Sequence, residues 1–283
     1  MFQKHAYCII AHNEPEILRT LVRALDHPLN DIFIHIDAKA DLGLFSDISC
    51  RHSRLVFLEK RLSVRWGHPS QIACELLIFE QARQAGHYAY YHLLSGVDLP
   101  LKSQEYIHHF LDEEHPGRIL VSYTDAPDDL QDVRFKTQYH HLFTDRLGKR
   151  GYRTIRNLVI HLEQLIRYRR RYPFEPRKGS NWVSLPEDFL DWLLPQKAQI
   201  LKWFRNTWCT DEVFIQSLLA ASPFRNRQMD NRREIRFEGA VPHVWTEEDK
   251  DILLGSEMLF ARKFSSAHPE IIRILVDSLQ AQA

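Results

Sequence analysis

Three neighbouring residues, Thr210, Asp211 and Glu212, stand directly before an apolar helical pattern and bring two carboxylates to one point of the chain. A carboxylate that faces a cleft can act as a general base, because it can remove the proton from an attacking hydroxyl. The same residues also suit the start of a helix, with Thr210 as the N-cap and two acids favoured by the helix dipole. The residues alone favour this structural interpretation, and the catalytic one stays open.

Two adjacent cations, Arg262 and Lys263, lie between aromatic residues near the end of the chain. Such cations can neutralise a diphosphate, for which lysine offers a point charge and arginine a forked donor. Neighbouring side chains of an extended segment point to opposite sides, so we expect only one of the two to enter a given pocket. An amphipathic edge strand is the alternative.

Two further polar segments follow predicted strands. Asp37 ends the strand DIFIHID, where an Asp-x-Asp pair would bind Mg²⁺ or Mn²⁺, but His35 occupies the first position of that pair. The segment with Ser95, Gly96 and Asp98 follows another strand, and Gly96 permits a close backbone approach. A bare turn explains that second segment equally well.

The cysteines and histidines show no recognisable metal motif. The four cysteines lack CxxC spacing and the sixteen histidines lack HExxH. The histidine pairs at 108–109 and 140–141 cannot share one ion on a helix face, because adjacent residues point apart. We therefore expect no metal site and no cofactor, and we expect Cys8 and Cys74 in the core.

The elements that must position these residues alternate between strands and helices over the first 125 residues. Strands are predicted at 6–11, 31–37, 55–58, 88–94 and 118–123, and helices at 14–25, 69–84 and 103–111. This order predicts an α/β fold with a mostly parallel sheet flanked by helices. Ligands of such sheets bind at the carboxyl ends of the strands, where Ala11, Asp37 and Ser95 lie.

The last third of the chain mixes both element types. Strands are predicted at 181–185, 235–238 and 258–264, and helices at 187–204 with a kink at Pro195, at 210–221, at 247–254 and after Pro269. No repeat or flexible linker is visible. We therefore predict one domain over 1–283, with a helical insertion at about 130–178.

The charges cancel overall but not locally. The 37 basic residues equal the 37 acidic ones, which argues against nucleic-acid binding by a general polyanion surface. Residues 104–132 hold eight acids and one base, a charge of −7, whereas 146–178 hold eleven bases and two acids, a charge of +9. The basic segment, Arg146 to Lys178, also carries apolar residues at helical spacing. A solvated outer face of the fold is the favoured interpretation of this segment. The functional alternative is a surface that binds anionic membrane lipid or an acidic acceptor.

The sequence also sets an expectation for location. No apolar run approaches the roughly 20 residues that a membrane span needs, and no signal peptide is recognisable. A cytoplasmic location is expected, with peripheral contact at the inner membrane face as the extension that the basic segment suggests.

Seven segments in order resemble the core-2/I-branching family of glycosyltransferases, which includes animal β-1,6-N-acetylglucosaminyltransferases, peptide O-xylosyltransferases and shorter bacterial-type members. These segments are AYCIIAH at 6–12, FIHID at 33–37, RLSVRWG at 61–67, YHLLSGVDLPLK at 91–102, KGSNW at 178–182, TDE at 210–212 and FARKF at 260–264. The basic segment at 146–178 matches nothing in the family, and the membrane anchor and disulfides of the animal enzymes have no counterpart here.

The resemblance implies a GT-A-type fold that transfers a sugar with inversion and without a metal, which agrees with the missing Asp-x-Asp pair. It implies that Glu212 is the catalytic base and that Asp37 lies near the uridine, with Arg262 and Lys263 on the diphosphate. The remaining implied donor contacts are Ala11, Val64, Arg65, Trp66, Asn181, Trp182 and Val241. The implied acceptor or pocket residues are Ser95, Gly96, Asp98 and Asp211.

The expected function is therefore transfer of GlcNAc or xylose from a UDP-sugar to a hydroxyl of a glycan, a lipid-linked glycan or a protein. The sequence does not decide between the two sugars or among the three acceptors. The alternative is a non-catalytic protein that binds nucleotide or scaffolds an assembly on the same fold. The presence of the acid, the cations and Trp66 in one chain argues against that alternative.

Overall fold

The computed structural model describes residues 3–123, 127–146, 150–239 and 241–282. The strands are β1 (His5–Ala11), β2 (Asn30–Ile36), β3 (Arg54–Phe57), β4 (Tyr90–Ser95), β5 (Asp98–Pro100), β6 (Ile119–Leu120), β7 (Ser184–Pro186), β8 (Gln228–Met229), β9 (Arg233–Ile235), β10 (Phe237–Glu238), β11 (Val241–Pro242) and β12 (Phe260–Arg262). The helices are α1 (Pro15–Leu25), α2 (Ser70–Ala85), α3 (Gln104–His109), α4 (Pro127–Gln138), α5 (Tyr152–Leu165), α6 (Glu187–Leu193), α7 (Lys197–Phe204), α8 (Phe214–Ala221), α9 (Lys250–Gly255) and α10 (Pro269–Gln282).

The main sheet has seven strands in the order β3-β2-β1-β4-β7-β6-β8. Its first four strands are parallel, β7 runs antiparallel to both of its neighbours, and β6 and β8 are parallel. A second sheet has the order β5-β12-β9, and β10 pairs with β11. The predicted α/β fold with a mostly parallel sheet is confirmed.

The apolar runs of β1 and β2 form central strands because both faces of the sheet are covered. Side chains alternate across a strand, so Tyr7 and Ile9 pack with α1 on one face, whereas Ala6 and Cys8 pack with α2 on the other. Cys8 and Cys74 are both fully buried, as predicted. The two cores fix the strand ends, and with them the residues that follow each strand.

Two predicted elements differ from the structure. The strand at 118–123 shrinks to Ile119–Leu120 and pairs antiparallel with β7. The turn after Ser95 contains a strand, β5, and Pro100 is tolerated there because β5 is an edge strand. The kink predicted at Pro195 is confirmed, because a 3₁₀ turn at this residue, which has no N–H to donate, separates α6 from α7.

The predicted helix start at Thr210 is also wrong. Residues Thr210–Glu212 form a separate 3₁₀ turn after Cys209, which has a φ of 49°, and α8 begins only at Phe214. The Thr210 hydroxyl is buried without a hydrogen-bond partner among the described residues, so it does not act as the N-cap. Helix α8 therefore does not explain why two acids stand at 211 and 212.

Within the described ranges, every helix is too short or too polar to cross a bilayer. The predicted single domain with an insertion at about 130–178 stays a prediction; α4 and α5 form much of the described structure in that part of the chain.

Candidate active site

The carboxyl ends of three neighbouring parallel strands meet at one edge of the main sheet. The Asp37 N–H after β2 donates to the Ala11 carbonyl at the end of β1 over 2.8 Å. Gly96 follows β4 at the same edge, and a Cβ on Gly96 would lie only 2.6 Å from the Ala11 Cβ. A larger residue at either position would push these strand ends apart.

The Asp37 carboxylate holds the neighbouring loop. One oxygen accepts from the Lys39 N–H over 2.8 Å and the other from the Val64 N–H over 3.0 Å, while the Lys39 ammonium lies 3.5 Å away. His35 faces the same loop, and its Nε2 accepts from the Leu62 N–H over 2.8 Å. Both side chains are buried, so they fix the segment that carries Val64.

Arg262 is locked at this edge by a buried acid and a hydroxyl. Its Nη1 contacts the Ser95 hydroxyl and lies 3.1 Å from Asp98 Oδ1. The Ser95 N–H and hydroxyl donate to the two Asp98 oxygens over 2.8 and 2.6 Å. The guanidinium carbon lies 4.3 Å from the centre of the Trp182 ring, which covers it. Ser95 and Asp98 are thus committed to holding Arg262, although they were predicted as pocket residues.

Lys263, unlike Arg262, is not held by an acid within the described part of the chain. Its half-buried ammonium has no ion pair or hydrogen bond with any described residue. Burial lowers the pKa of His12; the charge of Asp37 opposes this, whereas those of Arg262 and Lys263 reinforce it. These groups therefore share one electrostatic environment, in which Lys263 is the cation left available to a bound anion.

Glu212 stands at the other side of the site. Its side chain is 34% exposed, and its Oε2 accepts from the Lys136 ammonium over 2.8 Å. Lys136, on α4, also lies 3.0 Å from Asp132, which in turn pairs with Lys178 over 2.7 Å. Burial opposes the charged form of Lys136, but the attraction of Glu212 and Asp132 raises its pKa above the ordinary value. The lysine therefore stays a fixed cation beside Glu212.

Asp211 points into the interior, although it was predicted at the pocket. It is 7% exposed, and its Oδ2 accepts from the Gln71 amide over 2.7 Å. Burial, reinforced by the charge of Glu212, raises the pKa of Asp211 to about 7. Burial and the charge of Asp211 also raise the pKa of Glu75 well above its ordinary value. Two adjacent acids of the sequence thus have different environments, and only Glu212 is open to solvent.

An aromatic pair borders Glu212. Trp66 is 65% exposed, and its ring meets the edge of Trp208 with centroids 6.1 Å apart. Gly67 has a φ of 68°, and a Cβ there would lie 2.6 Å from the Trp208 indole nitrogen. Arg65 turns away from the strand ends and donates to the Asp145 carbonyl over 2.6 Å. Trp66, and not Arg65, therefore offers a free surface here.

Two segments join the strand ends to Glu212. The segment 179–182 begins at Gly179, whose N–H donates to the Glu212 carbonyl over 2.9 Å, and ends at Trp182 over Arg262. A Cβ on Gly179 would fall 1.7 Å from the Ser122 carbonyl oxygen, so only glycine fits. The segment 64–67 runs from the Val64 contact with Asp37 to Gly67, whose N–H donates to Gln71 over 2.6 Å.

The two remaining predicted residues flank these segments. Asn181 is half-buried, and its amide has no hydrogen-bond partner among the described residues. Val241 is 63% exposed on the β10–β11 hairpin, and two residues later the His243 carbonyl accepts from the Lys263 N–H. The structure thus places Val241 on the segment beside Lys263, with its own side chain in solvent.

Sequence reasoning missed Lys136, Gln71 and Trp208. Lys136 lies four residues after Asp132, a spacing that the sequence shows but that many surface pairs share. Gln71 sits in the first turn of α2, and Trp208 precedes Cys209 in an irregular segment. No local pattern distinguishes these residues, because their role comes from contacts made across the fold.

Helix α5 exposes an apolar stripe beside this site. Five large apolar side chains are between 50 and 74% exposed: Ile155, Leu158, Leu162, Leu165 and Ile166. Exposed arginines at 153, 167 and 169 accompany them, and the Arg156 guanidinium lies 5.6 Å from the centre of the Trp208 ring. Most of α5 is exposed, which agrees with the favoured interpretation of a solvated outer face, and the apolar side of the helix faces outward as well.

Comparisons with known proteins identify the family. The family model described as Core-2/I-Branching enzyme matches residues 5–240. A mouse N-acetyllactosaminide β-1,6-N-acetylglucosaminyl-transferase is 22% identical over 289 residues, covering 92% of this chain and 68% of the relative. The apo structure of the WbbM bifunctional glycosyltransferase matches with a TM-score of 0.40 and 11% identity, over 81% of this chain and 38% of that one. The chain belongs to the core-2/I-branching family of glycosyltransferases.

Proposed function

We propose that the protein transfers GlcNAc or xylose from a UDP-sugar to an acceptor hydroxyl, with inversion and without a catalytic metal. The observation that carries this proposal is the pairing of a solvent-open carboxylate, Glu212, with an available cation, Lys263, across a site joined by the segment 179–182. Membership of the family supports glycosyl transfer as the reaction class. The geometry suggests that residues at the strand ends bind the donor and that Glu212 removes the acceptor proton.

The donor would lie at the strand ends. Asp37 is rigid and near the predicted uridine position, while Lys263, together with Arg262, offers positive charge for the diphosphate. Fixed charges aimed at a leaving group stabilise the transition state without reorganising during the reaction. The charge that develops on UDP would therefore meet preorganised cations.

Glu212 would supply the base. Its Oε2 is held by Lys136, whereas Oε1 has no hydrogen-bond partner among the described residues. In a single displacement, Oε1 takes the acceptor proton as the acceptor oxygen bonds to the anomeric carbon. The bond from that carbon to the diphosphate oxygen breaks, and UDP leaves with its electron pair. Attack from the opposite face inverts the configuration, through an oxocarbenium-like transition state.

The residues near the uridine position do not suit a divalent cation. His35 replaces the first carboxylate of the usual pair and is engaged by the Leu62 N–H. Both Asp37 oxygens already accept hydrogen bonds from backbone N–H groups. Mg²⁺ and Mn²⁺ prefer several oxygen ligands, so cations of the chain are the better counter-charge here. We expect transfer to persist in excess EDTA, and a strict Mn²⁺ requirement would contradict this scheme.

The direct test is Glu212→Gln, assayed for transfer and for hydrolysis of a panel of UDP-sugars. A positioned base contributes about 10²–10⁴-fold, so turnover should fall by that factor while UDP still binds. Glu257→Gln, an exposed carboxylate elsewhere on the chain, is the matched control and should behave as wild type. Near-normal turnover of Glu212→Gln would refute the base assignment. UDP binding without any turnover of the wild type would favour the non-catalytic alternative.

We further propose that the acceptor is a glycan presented at an anionic membrane surface. The support is helix α5, whose exposed apolar stripe is accompanied by arginines and is tied to Trp208 through Arg156. An amphipathic helix of this kind inserts its apolar face at the headgroup level, while its cations attract anionic lipid. The helix would thereby hold Glu212 close to a lipid-linked acceptor.

Co-sedimentation with vesicles tests this second proposal. The wild type should bind vesicles that contain anionic phosphatidylglycerol more strongly than vesicles of phosphatidylcholine alone. Replacing Leu162 and Leu165 by serine should abolish binding, whereas serine at the equally exposed Ile252 and Leu254 of α9 should not. Equal binding by both double variants would contradict docking through α5.

A further inference from the structure

A second group of convergent polar side chains lies at the amino end of the parallel strands, away from the candidate active site. His5 opens β1, His108 belongs to α3, and Asp112 follows in the turn after α3. Within the described part of the chain, one ligand atom from each residue lies within 4.8 Å of the other two. Residues about a hundred positions apart are therefore brought to one point.

The three ligand atoms lie close to the separation that a tetrahedral ion needs. His5 Nε2 lies 3.1 Å from Asp112 Oδ1 and His108 Nδ1 lies 3.4 Å from Asp112 Oδ2, and both contacts are hydrogen bonds. An ion bound at 2.0–2.1 Å separates its tetrahedral ligands by about 3.3–3.4 Å. A bound Zn²⁺ ion would replace these two hydrogen bonds and draw the ligand atoms, which now lie within 4.8 Å of one another, to that separation.

The far nitrogen of His108 is fixed by a buried partner. Asn30 donates its amide to the Leu25 carbonyl and to Gln104, both over 2.8 Å, so its oxygen faces His108 Nε2 at 2.9 Å. The Nε2–H of His108 then donates to Asn30, and Nδ1 is the ring nitrogen that faces the Asp112 carboxylate. A cation between these two atoms would stabilise that arrangement.

The far nitrogen of His5 is fixed in the same way. His5 Nδ1 lies 3.1 Å from His92 Nε2, and His92 Nδ1 lies 2.7 Å from the Ser184 hydroxyl. All three side chains are buried. Metal-binding histidines usually hold their second nitrogen by a hydrogen bond of this kind, which orients the ring.

We propose that His5, His108 and Asp112 form a Zn²⁺ site. Two imidazoles and one carboxylate suit zinc better than Mg²⁺ or Ca²⁺, which prefer oxygen. Asp112 also lines, with Tyr90, a surface cavity of about 570 Å³, so that one ligand of the proposed site borders solvent while both histidines are buried. The bound ion cross-links β1 to the end of α3, so its role is structural and is independent of the proposed sugar transfer.

Zinc content of the untagged full-length chain tests the site. After gel filtration in zinc-free buffer, the wild type should retain about one Zn²⁺ per chain, and Asp112→Asn and His108→Asn should lose it. The neighbouring exposed residues provide matched controls on the same turn: Glu113→Gln and His109→Asn should retain zinc. Zinc retained equally by Asp112→Asn and Glu113→Gln would overturn the site.

A second measurement uses the wild type alone, so its result does not depend on whether the variants fold. Adding Zn²⁺ to chelator-stripped protein should raise the melting temperature by on the order of 5 °C, since the folded state binds the ion. Co²⁺ should give the intense visible absorption of a tetrahedral site. The absence of both responses would refute the proposal. Sugar transfer measured in the same EDTA solution reports separately on the proposed function, because the two sites lie at opposite ends of β1.

Discussion

The two sides of the candidate active site are built in different ways. The strand-end side, consisting of Asp37, Ser95, Asp98 and Arg262, comes from the ends of sheet strands. Ser95, Asp98 and Arg262 bond to one another, and Asp37 accepts from the backbone of the loop that carries Val64. The side around Glu212 is assembled from a 3₁₀ turn and helix α4, and Glu212 is one-third exposed. One side is rigid and nearly complete by itself, whereas the other leaves an oxygen of Glu212 open for a substrate.

Under the proposed function, the strand-end side would bind the donor and the Glu212 side would carry out the chemistry. A preformed strand-end side can hold a rigid nucleotide that is common to many donors, with Lys263 as its available cation. The Glu212 side borders the exposed Trp66 and helix α5, where an acceptor would enter. Four substitutions test this difference between the two sides of the site.

The largest effect is expected for Arg262→Met, and it should fall on stability. This change removes the ion-pair partner of the buried Asp98 carboxylate, a loss that typically costs about 3–5 kcal/mol, and the charge of the buried Arg233, which also acts on Asp98, should offset part of it. Urea unfolding should show that loss. Arg273→Met removes a fully exposed pair with Glu270 and should leave stability close to that of the wild type. Equal costs for the two variants would mean that Arg262 does not hold the strand-end side together.

Lys263→Met should instead affect donor binding. The ammonium has no partner among the described residues, so its loss leaves no buried charge unpaired and the melting temperature should stay close to that of the wild type. A charge-assisted hydrogen bond contributes about 1.5–3 kcal/mol, so donor affinity should fall about 10–100-fold. Steady-state kinetics should show this as a raised KM for the UDP-sugar. An unchanged KM would remove Lys263 from the donor site.

Lys136→Met should lower turnover by about tenfold with little change in the KM of the donor. The substitution removes the cation that holds Glu212 Oε2 at 2.8 Å, so the base loses its orientation. Lys178→Met is the matched control, because Lys178 pairs with Asp132 but with no oxygen of Glu212. A similar loss of turnover in both variants would show that turnover depends on the linked charges of Lys136, Asp132 and Lys178 together, and not on the contact between Lys136 and Glu212.

Asp211→Asn should change the pH dependence of stability. The pKa of Asp211 is raised from 3.8 to about 7 by burial and by Glu212, so between these values the native state binds more protons than the unfolded chain. Asp211 should therefore contribute stability that falls as pH rises through this window, by on the order of 1 kcal/mol per pH unit, whereas the lowered pKa values of the buried His5 and His141 contribute the opposite slope. The test is the difference between variant and wild type: relative to the wild type, Asp211→Asn should gain stability from pH 4.5 to pH 7 in urea unfolding. The exposed Asp251→Asn should show no such difference, and an Asp211→Asn profile parallel to that of the wild type would contradict the placement of Asp211.

The sequence predicted the strand-end side better than the Glu212 side for a physical reason. The apolar runs of β1 and β2 mark buried strands, and parallel strands bring their carboxyl ends to one edge, so the meeting of Ala11, Asp37 and Gly96 follows from pattern and topology. Lys136 and Trp208 lie on elements whose contacts depend on tertiary packing. The N-cap expectation at Thr210 failed because tertiary contacts at Cys209 and Gly67 override the local preference.

The histidine cluster shows a further limit of sequence reasoning. The pair at 108–109 does point apart, with His108 buried and His109 half-exposed, as adjacency requires. His108 instead meets His5, about a hundred residues away in the sequence. The register of β1 with β2 places His5 opposite Asn30, and the Asn30 oxygen in turn bonds to His108. Sequence spacing can identify candidate ligands that lie on one helix or strand. It cannot identify candidate ligands from distant elements that the fold brings together.

Calorimetric titration of UDP in excess EDTA tests most directly the central claim that Lys263 binds the donor and Glu212 acts as the base. Glu212→Gln should bind UDP with wild-type affinity although its turnover is greatly reduced. Lys263→Met should bind UDP at least tenfold more weakly although its catalytic base, Glu212, is intact. The opposite pattern, with UDP affinity lost on changing Glu212 and kept on changing Lys263, would contradict the account.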